Sequence, residues 1–484
     1  MQPNILLIMT DQQRQDSLGC YGADWVDTPN LDALGEEGII FDQVYVNSPV
    51  CTPSRASILT GKPACGHGVY RLHDVLDDAQ PLVPWHLQHL GYTTALFGKL
   101  HVSGRVAEEQ RRHPKDGFSR YQWCMEASVS MDSPFNGYAA WLKREHEDFF
   151  WKLKEQGRNL KHIPKEYHFT HWAAEETIGF LRSRPKDKPF FCMMSVFDPH
   201  NPYDQYPIEY RTRVREDALP PLVAGKEDET PAIQALRREQ IDGYLGPVAK
   251  FSQADIQAMR VGYYSSLALL DDEVGRVLRT LEEEQLSDST MVIFVSDHGD
   301  MLGDHHLFVK GAYFYDPCVK VPLIIKHPNG TGGGKRSALL VQPHDLAATI
   351  LSEAGMDIQQ RQILMPDSLD LLDPGCKGHD EAVCIYRQTG IDKTGRYFDP
   401  PIHATMLTDG RYKLNVYHGN PVTGQLFDLI NDPDECTNLW DACKEVRLEL
   451  LHKLVEWQVR TEIQTKSGKD ALPKEAQLLS NALR

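Results

Sequence analysis

The sequence predicts an α/β fold: a large doubly wound mixed sheet flanked by helices, followed by a smaller C-terminal antiparallel sheet with a helix. Three observations predict it. Up to about residue 375, short continuous apolar runs end abruptly in polar residues, the pattern of strands buried on both faces. Amphipathic stretches separate these runs, as crossovers between parallel strands require. The chain of 484 residues also exceeds the ~250–300 residues that one hydrophobic core sustains.

The elements follow in order. Asn4 to Thr10 reads as the first buried strand, with Asp11 and Gln12 just beyond it. Arg55 to Leu59 reads as the first turn of a helix, with Pro53 suited to its start. Tyr92 to Phe97 runs into Gly98-Lys99-Leu100-His101, and Pro189 to Phe197 into Asp198-Pro199-His200. Asn136 to Gln156 reads as one amphipathic helix whose Trp141, Phe149, Phe150 and Trp151 suit packing better than a sugar platform. Gln253 to Glu284 is one long helix, with Ile256, Met259, Tyr263, Leu267, Leu270, Val274 and Leu278 on a single stripe. It feeds the strand Met291 to Ser296, which Asp297-His298-Gly299-Asp300 follows at once. A further apolar run, Leu302 to Val309, leads to Lys310-Gly311, just before the apolar run Val319 to Ile325.

Asp373-Pro374-Gly375 and Gly378 mark a boundary, dividing the chain into a catalytic α/β domain, 1–375, and an α+β subdomain, 376–484. In the second part Ala382 to Tyr386, His403 to Thr408, Tyr412 to Tyr417 and Gln425 to Leu429 read as strands, and Lys444 to Ile463 as a helix.

Composition narrows the function. Hydrophobic content of 41% and charged content of 25% are ordinary for a globular enzyme. No apolar run reaches the ~18 residues of a membrane span. The net charge of −17 argues against nucleic acid and leaves an anionic substrate to local positive charge. The ten cysteines are scattered and read as mostly reduced thiols. With the first strand starting at residue 4, a cytoplasmic protein is expected, or a periplasmic or secreted one if a leader has been removed.

Ligands of open α/β sheets bind beyond the carboxyl ends of the strands. Asp11, Gln12, Asp297 and His298 therefore share one rim. Their oxygens suit a hard divalent cation, for which His298 is the less typical donor. Each Asp could equally cap the helix after its strand.

Cys51-Thr52-Pro53-Ser54-Arg55, followed by Leu59-Thr60-Gly61, resembles the signature of the type I, formylglycine-dependent sulfatases of the alkaline phosphatase superfamily. The distant elements resemble the family too: the Asp11-Gln12 start, Gly98-Lys99-Leu100-His101, Pro199-His200, Asp297-His298 and Lys310-Gly311. So do Asp409-Gly410-Arg411-Tyr412-Lys413-Leu414 and the segment Leu426 to Leu439. The resemblance implies an alkaline-phosphatase-like sheet, a Cys51 oxidised to formylglycine, and one divalent cation, calcium first and magnesium or manganese as alternatives. Asp11, Gln12, Asp297 and His298, with position 51, match the family's ligands.

A sulfate ester needs fixed positive charge, a metal and a proton donor for its leaving oxygen. Arg55, Lys99, His101, His200 and Lys310 supply that inventory. The resemblance implies that Asp297 helps to deprotonate the nucleophile and that His200 and Lys310 serve the leaving oxygen. His101 then collapses the intermediate, whose oxygens Arg55 and Lys99 hold.

The expected partners are a small anionic sulfate ester of a carbohydrate or an aryl alcohol, and a formylglycine-generating or other sulfatase-maturating enzyme. Nucleic acid and membrane are not expected, and a homo-oligomer is left open. Phosphonate monoester and phosphodiester hydrolases share C-x-P-S-R but typically lack G-K-x-H, so they stand second. A non-catalytic, sulfatase-like binding protein follows if Cys51 stays unmodified. Substrate choice is expected from Arg105 to Ser133, from Thr389 to Pro401, and from His67, Arg71 and His73.

Overall fold

A computed structural model describes residues 2–225, 248–388, 399–419 and 422–469, with positions 238, 241 and 245 between them. The main sheet has eight strands: β1 (Asn4–Thr10), β2 (Ile39–Val44), β3 (Thr93–Gly98), β4 (Arg120–Trp123), β5 (Phe190–Ser195), β6 (Thr290–Ser296), β7 (Leu323–Lys326) and β8 (Lys335–Val341). Their order is β4-β3-β5-β1-β6-β7-β2-β8. The strands β3, β5, β1 and β6 run parallel to one another, while β7 is antiparallel to both its neighbours and makes the sheet mixed.

The apolar runs explain this centre. Along β1, Ile5, Leu7 and Met9 enter the core on one face of the sheet and Leu6 and Ile8 enter the core on the other, all fully buried. Helices cover both faces. The long helix Gln253–Glu283 lies on the second face and starts with a capping box between Ser252 and Asp255.

Four further strands, β9 (Ala382–Arg387), β10 (His403–Thr408), β11 (Tyr412–His418) and β12 (Thr423–Asp428), form an antiparallel sheet ordered β12-β11-β10-β9. Leu450, Leu454 and Trp457 of the C-terminal helix Lys444–Lys469 pack on one face of it. No helix among the described residues is long and apolar enough to cross a membrane.

Three local readings change. The stretch from Asn136 is two helices, Gly137–Glu145 and Glu147–Gln156, because His146 leaves the helical region at φ −141°, ψ 52°. Phe149 and Phe150 are buried and Trp151 is exposed. The run Leu302 to Val309 is a loop, with Leu302, His305, His306 and Val309 at positive φ. The helix after the signature begins earlier than expected, as Cys51–Thr60. Val50 is its extended N-cap, and Pro53 falls in the first turn, where an N–H has no intrahelical partner. Arg55 thus lies one turn below Cys51 rather than in the opening turn.

Candidate active site

Four adjacent strands deliver the site. β1 ends at Asp11 and Gln12, β3 at Lys99 and His101, β5 at Asp198 and His200, and β6 at Asp297 and His298. β2 leads through a short loop to Cys51, the first residue of a helix whose ten residues are all buried. Backbone strain gathers here: Gln12, His101 and Val309 hold φ of 65°, 57° and 54°. Gly98, at φ 112°, is the residue that lets β3 approach β5, since a Cβ there would lie 1.9 Å from the Ser195 carbonyl oxygen.

Asp11, Cys51, Asp297 and His298 each present one donor atom, all within 4.8 Å of one another and all buried. Cys51 Sγ is 3.1 Å from His298 Nε2 and 3.8 Å from Asp11 Oδ1. His298 Nε2 lies 3.7 Å from Oδ1 of both Asp11 and Asp297. His298 Nδ1 donates to the Gly299 carbonyl at 2.9 Å, which leaves Nε2 to offer the lone pair once the ring is unprotonated. This is the usual support of a metal-binding imidazole. Two carboxylates, one oriented imidazole and position 51 fit a divalent cation.

Lys99 and Arg55 occupy Asp11 Oδ2, at 2.5 Å and 3.1 Å, and leave Oδ1 to face Cys51 and His298. Burial works to raise the Asp11 carboxyl, but the Lys99, Arg55 and Lys310 cations hold it well below the usual carboxylate range. Arg55 has no exposed side chain. Its Nε donates to Asp297 Oδ2 at 2.6 Å, and Nη1 donates to Ser195 Oγ at 2.8 Å and to the Lys99 carbonyl at 3.1 Å. The guanidinium is therefore spent behind the two carboxylates and braces them, instead of reaching substrate oxygens as the resemblance implied.

Gln12 lies at the same rim, with both ends of its side-chain amide engaged. Its Oε1 accepts from Lys310 Nζ at 2.7 Å, and its Nε2 donates to Asp300 at 2.6 Å. Lys310 also donates to His200 Nε2, and His200 Nδ1 donates to the Asn201 carbonyl at 2.6 Å. Burial and the neighbouring Lys310 hold His200 well below its ordinary range, so its ring is neutral.

His101 is neutral for the same kind of reason, burial first and Lys99 next. The Thr52 hydroxyl lies 3.1 Å from the Leu72 carbonyl and 3.0 Å from His101 Nε2. A hydroxyl has one proton, and the carbonyl can only accept. Both bonds form together only if His101 carries its hydrogen on Nε2. Nδ1, buried with no hydrogen-bond partner among the described residues, then holds the lone pair.

Several of these supports were not legible in the sequence. The segment Arg105 to Ser133, expected to choose substrate, contains the short helix Arg105–Glu108 and edge strand β4. Its Glu108, 4% exposed, accepts the backbone N–H groups of His101, Val102 and Ser103 and the Trp123 indole N–H at 2.8–3.1 Å. Asp300 holds the Lys310 loop, accepting the N–H groups of Leu302 and Val309 at 2.9 Å and the Tyr203 hydroxyl at 2.7 Å. His67 is a packed, buried residue: it lies 2.9 Å from Ser57 Oγ and accepts the Val69 N–H. Arg71 and His73 are exposed on the following loop. Of Thr389 to Pro401, residues 389–398 lie outside the described residues.

The family model described as Sulfatase matches residues 3–356. The chain belongs to the sulfatase family. As such it is a sulfuric ester hydrolase, and the family implies a metal and a modified cysteine, which the Asp11, Cys51, Asp297 and His298 group can provide together. A second model, N-sulphoglucosamine sulphohydrolase, C-terminal, matches residues 303–460. The chain is 30% identical over 473 residues to an arylsulfatase of Clostridium perfringens, covering 94% of each chain. It is 25% identical to an N-acetylglucosamine-6-O-sulfatase of Bacteroides thetaiotaomicron, over 94% of this chain and 86% of that one. Among solved structures, it is similar to a phosphonate monoester hydrolase of Agrobacterium radiobacter, with TM-score 0.77, 25% identity, and 95% and 96% of the two chains covered.

Proposed function

We propose that the protein hydrolyses a carbohydrate or aryl sulfate monoester to alcohol and inorganic sulfate, with position 51 as formylglycine and one divalent cation, calcium first. The convergence of Asp11, Asp297 and His298 on Cys51 at a helix N-terminus carries this reading. When bound, the cation polarises sulfate oxygens and the hydrated aldehyde supplies an attacking hydroxyl.

The remaining chemistry belongs to the chain. Lys99 and Lys310 bring positive charge to an anion entering beside Cys51. Lys310 holds a proton on Nζ, backed by the lone pair of His200 Nε2, where an alcohol oxygen must be protonated as it leaves. His101 offers the Nδ1 lone pair as a base. Arg55 holds Asp11 and Asp297 in place.

The second reading is a phosphonate monoester or phosphodiester hydrolase, favoured by the likeness to the Agrobacterium enzyme. Against it stands the complete Gly98-Lys99-Leu100-His101 element, whose lysine pairs with Asp11. Comparing kcat/KM for an aryl sulfate and an aryl phosphonate monoester separates the two. The sulfate ester should win, and a phosphonate advantage of orders of magnitude would overturn the assignment.

Maturation requires a formylglycine-generating or related enzyme.

A further inference from the structure

A cavity of about 810 Å³ opens between the loop after the signature helix, the end of the small sheet and the C-terminal helix. Tyr70, Arg71, Arg387, His403 and Trp457 line it. The register of the small sheet is unusual at this end. Arg387 on β9, His403 on β10 and His418 on β11 stand directly opposite one another. Three basic side chains in one cross-strand row repel when charged, an arrangement a sheet avoids unless something neutralises it.

Among the described residues nothing does so. The Arg387 guanidinium donates to the carbonyls of Tyr386 and Ala404 and to Thr405 Oγ1, and among the described residues it meets no carboxylate. His418 Nε2 lies 2.8 Å from the same hydroxyl. His403 Nδ1 is buried with no hydrogen-bond partner among the described residues. Burial holds all three groups below their ordinary ranges. Of the acidic groups on the cavity wall, Asp74 is consumed by Arg71 and by the N–H groups of Tyr70 and Arg71, and Glu462 comes from the C-terminal helix.

The loop that gives Tyr70 and Arg71 to the cavity also touches the site. Two residues beyond Tyr70, the Leu72 carbonyl meets Thr52 beside Cys51. Gly104, just past His101, packs against His73 so closely that a Cβ would lie 2.8 Å from the His73 Cα.

We propose that the cavity lined by Tyr70, Arg387, His403 and Trp457 binds a second anionic group of the substrate, a sulfate or carboxylate on a neighbouring sugar. This rests on the sulfate-ester reading and narrows it to polyanionic carbohydrate. Trp457 and Tyr70 supply apolar ring faces for the sugar, and Arg387 supplies the planar fork suited to sulfate or carboxylate.

The test uses an aryl sulfate as reporter and two inhibitors, inorganic sulfate and a dextran sulfate oligosaccharide. In the native protein the oligosaccharide should inhibit at a concentration at least tenfold lower than inorganic sulfate. The variants Arg387→Gln and His403→Asn should each erase most of that advantage, while inorganic sulfate inhibition stays within about twofold. An unchanged ratio in both variants would overturn the subsite, as would equal loss against both inhibitors. If free sulfate alone occupies the cavity, calorimetry will show a second sulfate that Arg387→Gln abolishes, with no oligosaccharide advantage, and the substrate subsite fails. A native protein inactive on aryl sulfates would count against the sulfatase reading; calorimetric titration with the same two probes then reads the same ratio.

Discussion

Glu108 holds His101 by its backbone. One carboxylate collects the N–H groups of residues 101, 102 and 103 and fixes the histidine at φ 57°. Glu108→Gln puts an NH₂ donor where two donors already point, and a buried donor left unpaired costs ~1–3 kcal/mol. The variant should lose kcat by tenfold or more with KM within a few-fold, read by steady-state kinetics on an aryl sulfate. A rise in KM alone would show that the contact does not position His101.

Thr52 decides which nitrogen of His101 carries the hydrogen. Thr52→Val removes the acceptor for Nε2–H, and kcat should fall while Thr52→Ser restores it. Formylglycine content must be measured in both by mass spectrometry, because Thr52 adjoins Cys51. Equal kcat in fully matured Val and Ser variants would contradict the assigned tautomer.

Arg55 braces two carboxylates at once, and a lysine cannot reproduce that fork. Breaking a buried ion pair from one side typically costs ~3–5 kcal/mol. Arg55→Lys should therefore lower the denaturation midpoint and also lower the bound metal measured by elemental analysis. Retained stability with full metal content would make the brace dispensable.

Acid stability reports on His67. Burial, then Lys62 and His344, push its pKa down to about 3 from 6.5. The unfolded chain therefore takes up a proton that the fold refuses. Stability is lost as pH falls below 6.5, at ~1.4 kcal/mol per pH unit, until about pH 3. Between pH 7 and 5, His67→Gln should lose ~2 kcal/mol less than the native protein in denaturant titrations. Parallel losses would mean that His67 is protonated in the fold.

The legible part of this protein was the part with a local pattern. The buried runs of β1, β3, β5 and β6 announced both the sheet and the rim, because a strand buried on both faces admits little but apolar residues. The long helix was legible from its stripe. Glu108, Asp300 and Thr52 were not, since their partners are backbone groups of loops far away or oddly shaped, and no periodicity marks them. Arg55 was found but its contacts were not: only the fold shows that a residue one turn below Cys51 bridges Asp11 and Asp297. His146 broke a helix whose apolar spacing ran on through it, because spacing reports faces and not backbone continuity.

The central claim is that Cys51 is the precursor of the nucleophile. The most direct test is the mass of the tryptic peptide spanning Gln15 to Arg55 after thiol alkylation, taken from protein of native origin. It contains Cys20 and Cys51. The account predicts one alkylated thiol, at Cys20, and a residual mass at position 51 that fits an aldehyde. Alkylation of both thiols would contradict it and leave a protein that binds its anion without turning it over.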